Sequence, residues 1–272
     1  MTDRATFLAR IRSEMSRARA RTGGAVGPVL KSPRQGISEQ GPPPRPSAAG
    51  PAPRPEHPRE IAETLRRELT ERWPETLERF RIEFELVAGV YHRVATVGDV
   101  PGVIGTIARE RESRRVIAWH PGALGIDWSD ALSAHGLDTV AMPAAGIESP
   151  AERQALRDLI AAADIGVTGV DLAIAETGSL VLLSGSGRPR STSLLPPYHV
   201  AVFDRDVLVE SLAQVGVFLE AWHDGPPEAW RGGVINVITG PSRTADIELT
   251  LTRGVHGPKE VHAIFVEGGL RG

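Results

Sequence analysis

Between residues 90 and 163, short β-branched apolar runs alternate with stretches of helical spacing, and this alternation is the strongest constraint the chain places on its fold. Val90 to Val97 reads as a strand and Pro101 to Arg111 as a helix. Val116 to Trp119 is a short buried strand and Trp128 to Ala134 a helix. Thr139 to Met142 is a further strand and Pro150 to Ala163 a helix. Strands separated by a helix pair in parallel, because only a long crossover returns the chain to the same edge. The spacing therefore predicts an α/β fold: an open, mostly parallel sheet with helices on both faces. Two helical stretches, about 59–72 and 74–86, precede it, with Pro74 where proline suits a helix start.

From Ile165 the rhythm changes. Residues 166–178 and 179–184 read as two strands joined at Glu176-Thr-Gly178, followed by a Gly/Arg/Ser loop at 185–193. A strand at about 198–203 leads to a helix from Asp206, a plausible cap, to Trp222. Strands at 234–239 and 261–266 complete the pattern. There is no internal repeat and no glycine fingerprint of the Rossmann or P-loop type.

The first fifth of the chain is different in kind. Residues 1–20 carry Phe7, Leu8, Ile11, Met15 and Ala18 at helical spacing, which predicts an amphipathic helix with a basic outer face. Residues 21–57 are rich in Gly, Pro, Ser and Ala, including Pro42-Pro-Pro44, and read as a linker or wrapping arm. Residues 58–272, roughly 215 in number, are ample for one buried core. Residues 1–57 hold 10 basic against 4 acidic side chains, leaving 21 against 30 in the remainder, so the body is acidic and shows no broad nucleic-acid footprint. With no cysteine, the chain has no thiol nucleophile and no thiolate for an iron–sulfur cluster. No apolar run reaches the roughly 18 residues of a membrane helix, and no apolar leader opens the chain, so the cytoplasm is expected.

Four places concentrate chemistry. At Gly240-Pro-Ser-Arg-Thr-Ala-Asp-Ile-Glu248 a β-branched run enters a turn that gathers Ser242, Arg243 and Thr244. If a helix starts there, capped by Ser242 or Thr244, its free N–H groups and Arg243 would hold a carboxylate or phosphate; a second strand, or a capped turn with a surface arginine, is the alternative. At Ala175-Glu-Thr-Gly-Ser179, Glu176 stands beside Thr177 and Ser179 at a strand end, as a general base or nucleophile or as an acceptor for backbone N–H groups. The loop at 185–193, with two arginines, resembles a lid or an anion cradle. His256 and Lys259 share a turn, with Asp246 and Glu248 close in sequence, as a possible acid–base cluster. His199 enters an apolar strand, as a core histidine or a base. No histidine or carboxylate grouping has a ligand spacing, so no metal site is expected.

Taken together, Ile165-Gly-Val-Thr-Gly-Val170, Ala175-Glu-Thr-Gly-Ser179, Leu195-Pro-Pro-Tyr-His199, Gly240-Pro-Ser-Arg-Thr-Ala-Asp-Ile-Glu248 and Gly254-Val-His-Gly-Pro-Lys259 resemble the LUD-domain family, in particular its LutC (YkgG) lactate-utilisation group, over roughly residues 60–268. The resemblance implies a fold similar to the ribose-phosphate isomerase and coenzyme A transferase group (NagB/RpiA/CoA transferase-like). It also implies a place in a three-part bacterial system oxidising L-lactate to pyruvate, whose companion subunits carry the iron–sulfur clusters. This chain would supply no cofactor of its own and would hold a small carboxylate, or a bound cofactor, near Glu176, Ser242, Arg243 and Thr244, with Arg243 on the carboxylate and His256 or His199 taking a proton. Two alternatives remain open: a stand-alone enzyme acting on a phosphosugar or an acyl thioester, with Glu176 as nucleophile or base and Ser242, Arg243 and Lys259 as anion clamp, and a non-catalytic assembly scaffold.

Overall fold

The computed structural model describes residues 57–270 apart from 146, 148, 226–231, 246–250 and 255, and for 244–245 and 251–253 the backbone alone. The expectations for residues 1–56 lie outside the described residues.

Two helices open the described chain. In α1 (Pro58–Glu71) and α2 (Trp73–Leu86) a proline sits in the first turn, where its missing N–H costs nothing. Helix α2 buries Leu77, Phe80 and Phe84, spaced to share one stripe. There follow β1 (Val90–Val94), α3 (Val100–Glu110), β2 (Arg115–Ala118), the short α4 (Pro121–Leu124) and α5 (Ser129–Ala134), β3 (Asp138–Ala141), α6 (Pro150–Ala162) and β4 (Ile165–Gly169). Then come β5 (Leu172–Ile174), β6 (Ser179–Ser184), α7 (Ser191–Leu194), β7 (Tyr198–Phe203), β8 (Leu208–Val209), α8 (Leu212–Trp222), β9 (Val234–Ile238), β10 (Arg243–Ala245), β11 (Leu251–Arg253) and β12 (Glu260–Val266).

The main sheet has the order β1-β12-β7-β4-β2-β3, and every pairing in it is parallel. Strands β4, β7 and β12 are buried along almost their whole length, as strands covered on both faces must be. The predicted α/β architecture is therefore the one found. Phe80 of α2 stacks on Phe84 and meets Phe203 edge-on, both at 5.3 Å between ring centroids, and Trp73 stacks on Phe265 at 5.6 Å. Ile160 of α6 packs with Ile117 and Met142 in a separate cluster.

A second sheet, β8-β5-β6-β9, forms its own layer. Its side chains divide by the two-residue period of a strand. Ala173, Leu180, Leu182 and Leu208 join the central core, whereas Leu172, Ile174, Val181, Leu183 and Val209 pack with Ala62 and Leu69 of α1 and Val215 and Phe218 of α8.

Two expectations are corrected. The single strand expected over 166–178 is two: β4 ends at Gly169, and the chain crosses into the second sheet at Val170–Asp171. The helix expected from Asp206 begins at Leu212, because Leu208 and Val209 pair with Ala173 and Ile174 and the capping box is formed by Ser211 and Gln214. Of the alternatives left open for the segment after Gly240, the second strand is the one found: it continues as β10, antiparallel to β11, and no helix N-terminus forms at Ser242–Thr244.

Candidate functional site

Parallel sheets bind ligands beyond the carboxyl ends of their strands, where neighbouring connections depart in opposite directions. Here that place is fixed by topology. The chain leaving β2 goes outward to β3, whereas the chain leaving its neighbour β4 goes the other way, through the second sheet to β7. Between these exits lies a crevice of about 770 Å³, within the range of small-molecule sites. Its walls come from the chain after β2 (Trp119, His120), after β4 (Val170, Asp171), after β7 (Asp204) and from Arg188 in the loop after β6.

The charged walls are held from behind. The Asp171 side chain is 3% exposed. Its Oδ2 accepts the Leu183 N–H at 2.7 Å and its Oδ1 accepts Nη1–H of Arg188 at 2.9 Å. The Arg188 guanidinium lies 5.5 Å from the Trp119 ring centroid, and the Trp119 indole N–H donates to Pro189 O. Asp204 spends both oxygens on backbone, accepting from Asp206 N and Leu270 N. The crevice thus sets the Arg188 guanidinium, paired with Asp171, beside the half-buried His120 and the side chains of Asp204, Asp206 and Arg66.

The structure brings the two motifs around Glu176 and Ser242 together, but at the other end of the molecule. Thr177 Oγ1 donates to Ser179 Oγ, which bonds Thr239 Oγ1 at 2.7 Å. Gly178, at φ 58°, turns against the backbone of Glu83 and Phe84, and Arg243 donates to Val87 O, the cap residue of α2. The fixed positive charge thus meets the negative end of a helix dipole. Glu176 is exposed, and its carboxylate accepts the N–H of Leu212, the first residue of α8, at 2.9 Å. Ser242 N–H donates to Pro258 O and Lys259 N–H to Pro197 O, tying these turns to the amino ends of β12 and β7. His256 and Lys259 are exposed. Thr244 is a β10 residue paired with Thr252, and Asp246 lies outside the described residues.

His199 sits near the amino end of β7, wholly buried, with Nε2 on Thr168 Oγ1 at 2.8 Å. Burial, and secondarily the nearby His262, pushes its pKa down to about 3. His262 is also pushed down, first by burial and then by His92, with which it shares a 3.0 Å hydrogen bond. All three histidines, His92 included, are therefore neutral in the folded protein at neutral pH. An unfolded histidine titrates near 6.5. Below that pH the unfolded chain takes up protons that the folded one refuses, so stability falls with pH. For His199, the most strongly shifted, the expected loss approaches about 1.4 kcal/mol per pH unit. Urea midpoints at pH 7 and pH 5, a window in which carboxylates stay ionised, should show the fall, and His199→Gln should lessen it. A midpoint unchanged across the window would contradict the buried neutral rings.

Sequence reasoning marked the 185–193 loop that supplies Arg188 but not Asp171 or His120. Their signal was positional: each directly follows a short buried run, Val116–Trp119 for one and Ile165–Val170 for the other.

A family model described as LUD domain matches residues 77–266. The chain is 45% identical over 108 residues to Lactate utilization protein C of Halalkalibacterium halodurans, covering 39% of this chain and 45% of that protein. It is 30% identical over 187 residues to Lactate utilization protein C of Macrococcus caseolyticus, covering 63% and 70%. The matches to the first of these relatives thus span about half of the relatives' length. A crystal structure of a DUF162 family protein from Deinococcus radiodurans aligns over 71% of this chain and 98% of its own, with a TM-score of 0.46 and 23% identity.

Proposed function

The chain belongs to the LUD-domain family, and from that premise we propose that it serves in L-lactate utilisation, as the carboxylate-binding subunit of a complex that oxidises L-lactate to pyruvate. The observation that carries this is the crevice between β2 and β4, whose walls His120, Asp171, Arg188 and Asp204 all fall within the span matched by the family. The relatives named for lactate utilisation support lactate as the substrate. In this reading Arg188 pairs with the substrate carboxylate. Oxidation removes two electrons and two protons, and a chain without cysteine offers no thiolate-held cluster to take the electrons. They pass to partner subunits bearing iron–sulfur clusters.

The Ser242–Arg243 turn is the competing seat, and one experiment separates the two. Arg188→Lys keeps the charge opposite Asp171 but loses the planar fork. It is expected to abolish lactate-dependent growth at normal protein level, while Arg243→Ala leaves growth intact. The opposite pattern would move the seat to the Arg243 turn. A tagged chain purified from lactate-grown cells should bring down cluster-bearing subunits and lactate-oxidising activity. Recovery of the chain alone would favour a stand-alone enzyme for a phosphosugar or acyl thioester, and a complex that works with the crevice disabled would favour a scaffold.

A further inference from the structure

Among the walls of the crevice, His120 is the one whose protonation the backbone dictates. Its ring Nδ1 accepts the N–H of Gly122 at 3.0 Å, and the backbone N–H of His120 donates to Gly187 O at 2.9 Å. Gly187 comes so close that a side chain there would begin 2.8 Å from His120 Cβ, so the residue is held from both sides. An imidazole nitrogen that accepts a backbone N–H carries no proton, and the neutral ring must keep its proton on Nε2. His120 is half-buried and lines the crevice with Arg188 and Asp171.

We propose that His120 is a fixed hydrogen-bond donor, through Nε2–H, to the oxygen on C2 of the bound carboxylate, and that it makes the site prefer a 2-oxo acid to the matching 2-hydroxy acid. The proposal rests on the carboxylate being seated at Arg188. A keto oxygen only accepts, and so matches a donor that cannot become an acceptor. A hydroxyl accepts the same bond but must also give its own proton to another wall. There Asp171 and Asp204 already have both oxygens engaged and Asp206 is exposed to water, so the hydroxyl gains less from the site than a keto oxygen does. The neutral ring cannot take the hydroxyl proton at Nε2, so His120 acts as a donor and not as the base. In the proposed reaction the donor stabilises the carbonyl oxygen that forms at C2.

A purely structural role, capping the turn at Pro121–Leu124, is the competing explanation, and the test separates them. Full-length protein labelled with nitrogen-15 would be examined by NMR at about pH 8, where an ordinary histidine is neutral. Pyruvate and L-lactate would then be titrated calorimetrically into wild type and His120→Asn, which keeps an acceptor for the Gly122 N–H but places no donor at the Nε2 position. Expected are the Nε2–H tautomer, pyruvate binding about tenfold more tightly than L-lactate, and loss of that ratio in His120→Asn at an unchanged thermal midpoint. The Nδ1–H tautomer, equal affinities in wild type, or an unaltered ratio in His120→Asn would each overturn the inference while leaving the seat intact. Failure of wild type to bind either acid would remove the seat at Arg188 and this inference with it.

Discussion

Asp171→Ala is expected to lower the unfolding free energy by about 3–5 kcal/mol, the range found when one partner of a buried ion pair is removed. The carboxylate has two tasks, and alanine performs neither. It faces Arg188, whose side chain is 15% exposed, and it accepts the N–H of Leu183 on the neighbouring strand of the second sheet. Its loss takes the counter-charge from a guanidinium with little access to water and leaves a buried N–H without its acceptor. The position matters as much as the chemistry, because Asp171 is where the chain leaves the main sheet for the second one. A double variant, Asp171→Ala with Arg188→Met, should recover part of the loss, since the charge is then gone as well. Urea unfolding of the four proteins in that cycle measures the coupling. A single variant with a wild-type midpoint would mean that the pair does not hold the two sheets together. Binding should fail in Asp171→Ala even under conditions where it is folded, because Arg188 has lost the group that aims it.

How far the sequence carried depended on how local the determining physics was. The alternation of short buried runs with helical spacing is local, and it predicted β2, β3, α3 and α6 within a residue or two and the parallel sheet with them. The hairpin at Glu176-Thr-Gly178 was equally visible, because a glycine in a left-handed turn is a local requirement. The break at Val170–Asp171 was not visible, since both sides of it are apolar and only pairing with different sheets divides them. The start of α8 was displaced for the same reason: Leu208–Val209 looks helical until β5 is there to pair with it. The Ser242–Arg243 cluster looked like an anion site because hydroxyls and an arginine gather after a strand. What the sequence could not say is that the end of α2 comes to meet Arg243. The crevice is the extreme case. His120, Asp171 and Arg188 lie far apart in the chain and carry no common motif. They meet only because the connections after β2 and β4 part in opposite directions.

That meeting depends on a glycine, and Gly166→Ala is expected to be the most damaging small substitution in the sheet. A Cβ at this position would lie 1.8 Å from the carbonyl oxygen of Thr192 and 3.1 Å from Pro196 Cγ. The first obstacle is backbone, which cannot turn aside as a side chain can. The helical turn Ser191–Leu194 would have to lift off β4, and it carries the buried Thr192 and Ser193 with it. The same segment continues back through Pro189 to Arg188, so the wall of the crevice would move as well. Overpacking a core usually costs about 1–3 kcal/mol. Here the cost should exceed that range, seen as little soluble protein or a thermal midpoint well below wild type. Gly169→Ala is the control, three residues along the same strand. Its Cβ would find Leu124 at 3.6 Å and Trp119 at 3.7 Å, ordinary contacts, so the fold should be nearly unaffected. Gly169 lines the crevice, and the added methyl group takes room from a ligand there. The two alanines should therefore separate cleanly, one losing the fold and the other only affinity for the acid. A Gly166→Ala protein that melts with wild type would show that the turn does not rest on β4, and the floor beneath Arg188 would have to be sought elsewhere.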